Sequence, residues 1–405
     1  MRQQTINILI FNRCYPPEIG ATGTIIRDIA KFLYSRGHKV TIIVGRPIVR
    51  KESYYLYRKY HDDGILVIRV GSTSFSHNSM LGRIFNYVTY LFFAFFISIL
   101  LRPRPNVIVA MTDPPLTSLL GWFVSFLLKR PLVYNIRDLH PDMALAAGVV
   151  KSNVLTKIWE KCHILTINKS KLVIAISEDM KRRILSKNIK KDKIVVVRDG
   201  SPFFENCNGN EANIQSLIRA KFSFVVGHTG NIGFGGAWDT ILKSAHYLRD
   251  TSDIGFVFIG DGSCKYKLEK YSSELNIKIF PYFPIQNIFH VMSSPDVHIV
   301  TIKHGLQGLI VPSKFYSIIA IGKPVLALVP DDTEISEFVK KFKCGFVIDP
   351  EDHVALSKII IELKNNHDML RMMSENAKKL SNLLLRDKQC EIFERYLLTV
   401  YNNEI

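Results

Sequence analysis

Gly305-Leu-Gln-Gly-Leu-Ile-Val-Pro-Ser-Lys-Phe-Tyr-Ser-Ile-Ile-Ala-Ile-Gly-Lys-Pro-Val-Leu-Ala327 decides how this chain is read. It follows an apolar run, Val297 to Ile302, and overlaps another, Pro324 to Val329, with turn residues and a helix-length segment between them. That is strand, loop, helix, strand. Gly305 and Gly308 allow backbone conformations that other residues avoid, so the loop can present N–H groups without Cβ hindrance. Ser313 stands where it would cap the helix, whose N-terminus adds the positive end of its dipole. A diphosphate suits such a loop; a plain connection between elements is the competing reading.

The 405 residues leave room for two domains, each with its own core. Strand-like and helix-like segments alternate throughout, which predicts α/β architecture with parallel sheets. The formal charge of +17 suits an anionic membrane surface or phosphorylated substrates. Nucleic acid is set aside, because Lys and Arg are dispersed and no reading motif accompanies them. The six cysteines, Cys14, Cys162, Cys207, Cys264, Cys344 and Cys390, form no CxxC pair. They read as reduced cytosolic thiols, not as zinc or redox motifs. The opening MRQQTINILIF carries an apolar run too short for a signal peptide and reads as a first strand.

Working outward, Ile6 to Phe11 predicts a buried strand, followed by the loop Asn12 to Gly23 and a helix from Thr24 to Arg36. Further strands are expected at Val40 to Val44 and Ile65 to Val70, with a basic, tyrosine-rich connection over 46–62. Ile84 to Leu101 is the most hydrophobic run, at the length threshold of a single membrane span. Its aromatic residues surround the helix, so it is either domain core or touches lipid; an in-plane membrane contact is the preferred reading. The strand Pro131 to Asn135 runs into Ile136-Arg-Asp-Leu-His-Pro-Asp-Met143. Arg137, Asp138, His140 and Asp142 at a strand's carboxyl end make a candidate acceptor and catalytic edge. The alternative has Asp138 as a helix cap and His140 as a loop residue. Arg198 to Asn210 reads as a hinge, and four glycines in His228-Thr-Gly-Asn-Ile-Gly-Phe-Gly-Gly236 lie between a strand at 222–227 and a helix at Trp238 to Tyr247. Their spacing is not that of a dinucleotide fingerprint.

The run PSKFYSIIAIGKPVLALV resembles the nucleotide-sugar loop and helix of family 4 retaining glycosyltransferases with the GT-B fold, closest to the branch that builds bacterial O-antigens and includes N-acetyl-L-fucosamine transferases. The resemblance implies two Rossmann-like parallel-sheet domains facing across a cleft: 1–198 on the acceptor side with its membrane segment 84–101, a linker 199–222, a nucleotide-sugar domain 223–385, and a C-terminal helix 386–405 that packs back on the first. It implies a nucleoside-diphosphate donor, UDP foremost, and a lipid-linked saccharide acceptor at the cytoplasmic face of the bacterial inner membrane. No cofactor is implied. No Asp-x-Asp strand end is present, so no essential metal is expected.

Residue by residue, Tyr15-Pro-Pro-Glu18 with Gly20 and Gly23 resembles the family loop that approaches the donor, and Arg13 and Glu18 are either cleft residues or solvated charges. Gly230, Asn231 and Gly233 lie in the branch's TGNIG motif, and Gly308, Leu309, Ser313, Lys314 and Ser317 complete the implied donor site. Three departures stand out. Arg137-Asp138 occupies the place of a His-Asp pair. His228, Asn231 and Gly236 occur near positions where relatives carry Arg and Lys. Ser317 and Leu309 replace the two Glu residues of E-x7-E, leaving ribose recognition to Ser317, to backbone, or to Glu334 or Glu337.

Overall fold

A computed structural model describes residues 4–18, 21–47, 55–75, 80–204 and 211–403. The chain forms two compact units: Met1–Arg198 with Gly308–Val311 and Asp387–Ile405, and Asp199–Gln307 with Pro312–Arg386.

The first unit holds strands β1 (Asn7–Phe11), β2 (Lys39–Val44), β3 (Tyr57–Asp62), β4 (Ile65–Val70), β5 (Val107–Ala110), β6 (Leu132–Ile136), β7 (Leu172–Ala175) and β8 (Ile194–Val196). They make one sheet in the order β3-β4-β2-β1-β5-β6-β7-β8, and every pairing is parallel except β3 with β4. The central strands are nearly continuous Val, Ile and Leu because helices cover both faces. Helix α1 (Ala21–Ser35) lies on one face; α2 (Met80–Leu100), α3 (Thr117–Leu128) and α5 (Val154–Lys169) pack side by side on the other, as right-handed crossovers require. The short α4 (Asp142–Ala146) and α6 (Glu178–Leu185) follow β6 and β7.

In the second unit, α7 (Glu211–Arg219) precedes β9 (Phe224–Asn231), and α8 (Trp238–Tyr247), β10 (Ile254–Asp261), α9 (Lys265–Glu269), β11 (Ile277–Phe280), α10 (Ile288–Ser293) and β12 (Val297–Thr301) follow. Then come α11 (Lys314–Ala320), β13 (Val325–Leu328), α12 (Glu334–Phe342), β14 (Gly345–Ile348), α13 (His353–Asn365) and α14 (His367–Leu383). The six strands form a wholly parallel sheet, β11-β10-β9-β12-β13-β14. Phe224, Trp238, Ile241, Phe256, Ile299 and Leu326 build its larger core, and Ile214, Ile218 and Phe222 pack on the opposite face. The last helix, α15 (Arg386–Tyr401), places Cys390, Phe393 and Leu397 in the core of the first unit beside Ile8, Ile26 and Leu33.

Four expectations need correction. Residues 57–62 are a strand, not a connection: an edge strand with exposed faces shows no apolar alternation to read. The expected linker 199–222 contains α7, whose apolar face was masked by the surrounding Asn and Gly. His228 to Asn231 continue β9 instead of opening a loop. Gly23 lies inside α1, which begins at Ala21.

Helix α2 has one face in the core and one outside it, with 22% of its apolar window buried. Its inward face carries Asn86, Tyr90, Ala94 and Ser98, four residues apart, while Phe85, Val88, Phe92 and Phe96 are exposed. Asn86 is clamped to the sheet side: its Oδ1 accepts from Thr73 Oγ1 and the Phe75 N–H, and its Nδ2 donates to the Phe75 carbonyl, each at 2.9 Å. Tyr90 donates to the Ile43 carbonyl at 2.9 Å. Polar groups therefore hold this helix down, and its apolar groups face outward.

Candidate active site

The carboxyl edge of each parallel sheet collects the strand ends and helix starts where open α/β folds bind ligands. In the second unit the centre of that edge is the end of β9. Gly230 has φ +143 and Gly260, its partner on β10, φ +149, conformations that favour glycine. A Cβ on Gly260 would run into the Gly230 carbonyl, so the two glycines let β9 and β10 continue paired to their tips. Across Gly230 lies the aliphatic chain of Lys314, 3.2 Å from where a Cβ would stand. Burial, and then the nearby charge of Arg386, hold the Lys314 ammonium below the ordinary lysine range. Such a cation lacks solvation and gains from an anion beside it.

The glycine-rich turn after β9 wraps an indole. Trp238 Nε1 donates to the Gly233 carbonyl at 2.6 Å, and a side chain on Gly236 would meet the Trp238 ring. The Ile232 N–H is taken by the Asp261 carbonyl and the Ala237 N–H by Thr301 Oγ1. Among the described residues, the N–H groups of Gly233, Phe234 and Gly235 have no hydrogen-bond acceptor, which leaves three adjacent donors for an anion. Asn231 ends β9 exposed, its carboxamide close to Gly233 and Gly262.

His228 supplies no charge here. Its ring is packed edge-on to Trp238 at 4.9 Å and faces the Ile299 carbonyl through Nδ1, and burial holds its pKa down at about 4. Sequence reasoning missed Arg386. Its Nε donates to the Asp199 carbonyl at 3.1 Å and it acts electrostatically on Lys314, although a long stretch of chain separates the two. Ser313 occupies the N-cap of α11 but makes no side-chain cap bond, contrary to expectation. Ser317 lies half-buried one turn after Lys314, Glu334 is buried in the first turn of α12, and Glu337 is exposed.

Gly308, with φ +71, donates its N–H to the Asp179 carboxylate at 3.0 Å, and the Leu309 carbonyl accepts from Leu139 N–H at 3.0 Å. The Gly308 N–H is thus engaged within the first unit and is not free for a phosphate, which removes that one donor from the reading of this loop as an open cradle. Gly20 lies outside the described residues. Gly23 approaches the backbone of Tyr15, where a Cβ would stand 3.2 Å from its Cα, so its lack of a side chain serves helix-to-loop packing.

At the carboxyl edge of the first unit, Arg13 and Glu18 are buried, so neither is a solvated charge. Arg13 pairs with Asp113 at 3.4 Å and Glu18 at 3.6 Å, a triad the sequence did not reveal because Asp113 is a hundred residues away. Thr112 Oγ1 accepts from the Arg137 and Asp138 N–H groups at 3.3 Å each, fixing the turn after β6. His140 is buried and stacked on Trp159, 5.4 Å between ring centres. Burial lowers its pKa to about 4, so at neutral pH it is an uncharged imidazole. Asp142 is bound to Lys187 at 2.7 Å and serves structure. Arg137, Asp138 and His140 thus sit together on the turn after β6. Among the described residues no His, Cys, Asp or Glu group could hold a metal ion.

The pattern of the Glycosyl transferase 4-like domain matches residues 20–200, and that of the Glycosyl transferases group 1 domain matches 213–380. The chain is 22% identical over 373 residues to the putative colanic acid biosynthesis glycosyl transferase WcaI of Escherichia coli (strain K12), covering 87% of this chain and 90% of that one. To the probable glycosyltransferase WbjE of Pseudomonas aeruginosa it is 26% identical, covering 67% and 70%. Among solved structures, Anabaena HepE in complex with UDP-glucose superposes with a TM-score of 0.70 at 18% identity, covering 97% of this chain and all of that one. With a glycosyl transferase 4-like domain and a glycosyl transferases group 1 domain in series on its two parallel-sheet units, the chain carries two glycosyltransferase domains and has the GT-B fold.

Proposed function

We propose that the protein is a retaining glycosyltransferase that moves a sugar from a nucleoside diphosphate, UDP foremost, to a lipid-linked saccharide during O-antigen or capsule synthesis. The observation that carries the donor half is the desolvated Lys314 lying across Gly230, with Arg386 nearby. Two cations and the N–H groups of Gly233 to Gly235 suit a leaving diphosphate, whose growing charge they stabilise without reorganisation. The UDP and UDP-glucose bound by the HepE structures support UDP as the nucleotide of the donor. The colanic acid role in the name of WcaI supports a polysaccharide acceptor, and an amino-deoxy sugar such as N-acetyl-L-fucosamine is the donor sugar to try first. Asp138, His140 and Arg137 form the acceptor-side turn, where a neutral imidazole and a carboxylate can orient a hydroxyl.

The test is UDP release from purified protein given a panel of UDP-sugars with and without a lipid-linked acceptor. Release that depends on acceptor supports transfer; sugar isomerisation without acceptor would assign an epimerase instead. The same assay is expected to keep its rate in EDTA, because the fixed cations take the metal's place. Full loss restored by Mg²⁺ or Mn²⁺ would refute that part.

Attachment at the cytoplasmic face of the inner membrane through α2 belongs to the same reading. Phe92 and Phe96 are exposed and Phe93 half-buried, so replacing all three with Ser is expected to release the protein from anionic vesicles while its melting stays cooperative. Unaltered vesicle binding by the folded variant would move the contact elsewhere.

A further inference from the structure

We infer that the membrane contact is not one helix but the whole outer layer of the first unit, α2, α3 and α5, bordered by a ledge of cations that takes lipid headgroups. This deepens the proposed membrane attachment and rests on that reading for its partner. The exposed apolar side chains of α2 do not stand alone. Its neighbour α3 exposes Phe123, Phe126 and Leu127, and α5 beyond it exposes Val154, Leu155 and Ile158, several above 70%. Exposed apolar residues thus run along α2, through the last turns of α3 and over the first turns of α5, where Lys157 and Lys161 are exposed beside them, and together they exceed the scattered surface hydrophobics of a soluble domain.

The charge pattern names the occupant. Each of the three helices ends at the amino edge of the sheet, opposite the carboxyl edge that holds the candidate active site, and each is followed by cations: Arg102 and Arg104 after α2, Lys129 and Arg130 after α3, Lys169 and Lys171 at and after the end of α5. At the end of α3 lies an open, mainly apolar depression of about 520 Å³ lined by Ser125, Phe126, Leu127, Lys129 and Arg130. A second, of about 390 Å³, shares Ser125 with it and adds Lys169, Lys171 and Lys193, with Asp192 as its one acid. Arg130 Nε is shielded from water yet has no hydrogen-bond partner. Cationic rims against apolar tips match a bilayer surface, phosphates above and acyl chains below, and do not match a protein partner that would bury the cations unpaired.

The experiment is co-sedimentation of the full chain with vesicles of phosphatidylcholine alone or mixed with phosphatidylglycerol, alongside donor binding by thermal shift. Phe123→Ser with Phe126→Ser is expected to weaken binding tenfold or more on both vesicle types, by the order expected for two interfacial aromatics. Lys129→Gln with Arg130→Gln is expected to weaken binding about thirty-fold on the anionic vesicles only, and added salt should erase the difference. Donor binding should stay unchanged in both, since neither pair belongs to the donor site. If both variants bind as the unaltered protein does while the α2 triple variant is released, the three-helix face is refuted and the single-helix contact stands. If the unaltered protein ignores anionic vesicles, both membrane readings fall while donor binding still reports on the enzyme. If ultracentrifugation shows a dimer that the Phe126 change dissociates, the face belongs to a second copy and the lipid assignment is overturned.

Discussion

Lys314→Ala is expected to lower kcat/KM for the donor by about a hundred-fold or more, the scale seen when one fixed group facing a developing anion is removed. Stability should move by only about 1 kcal/mol, because an ammonium already short of solvation gives up little when it leaves. Lys314→Arg should recover part of the activity. The pH dependence carries a sign. Burial and Arg386 lower the Lys314 pKa, so in the free protein the cation is lost as pH rises through a value below the usual lysine range. A bound diphosphate pulls that pKa back up. Donor KM should therefore climb on the alkaline side in the native protein, with no such climb in Lys314→Arg. A kcat/KM unchanged in Lys314→Ala would remove this residue from the phosphate site.

Acid should unfold both units between about pH 6 and 4. His140 and His163 in the first unit, His228 and His298 in the second, are held by burial at about 4, 3, 4 and 3 respectively. Each is neutral when folded and regains a pKa near 6.5 when the chain opens. The unfolded state then binds more protons below that value, so the contribution is complete above about pH 7 and is lost as pH falls toward the folded pKa. Each loss is on the order of 2–3 kcal/mol by about pH 4, and two per unit rival a domain's entire stability. Urea midpoints at successive pH values measure this. A midpoint that stays flat from pH 7 to 5 would refute it. His298 packs at the base of β12 with Nε2 donating to the Met292 carbonyl at 2.7 Å, and His298→Asn should flatten the acid limb for the second unit.

What the sequence disclosed follows from which forces are local. Strands β1, β2, β4 and β7 are runs of Ile, Val and Leu, and burial on both faces makes such runs legible without context. Strand β3 pairs with β4 alone, and the short α7 buries only Ile214 and Ile218 of its described residues, against β9, β10 and α10, so little in their own residues announces them. The glycine-rich stretch after β9 is visible in the sequence but the reasons for its glycines are not: Gly236 makes room for Trp238, and Gly260 on the neighbouring β10 makes room for the Gly230 carbonyl, both tertiary facts. The same limit hid the partners of charged groups. Arg13 with Asp113, and Lys314 with Arg386, are brought together by folding across long stretches of chain. Helix α2 was conspicuous as hydrophobic, yet only its anchoring through Asn86 and Tyr90 tells which side faces out.

The chain passes between its two units at four points, the last after Arg386, the first residue of α15. Phe393 and Leu397 of that helix close the first unit's core, and Glu394 meets the buried His38 at 2.9 Å. During synthesis the first unit therefore leaves the ribosome with one wall missing, and waits for the final helix until everything between has been translated. A fragment stopped near Arg198 would expose the Ile8, Ile26 and Leu33 surface. Such a fragment should aggregate alone and become soluble when the α15 peptide is supplied in trans.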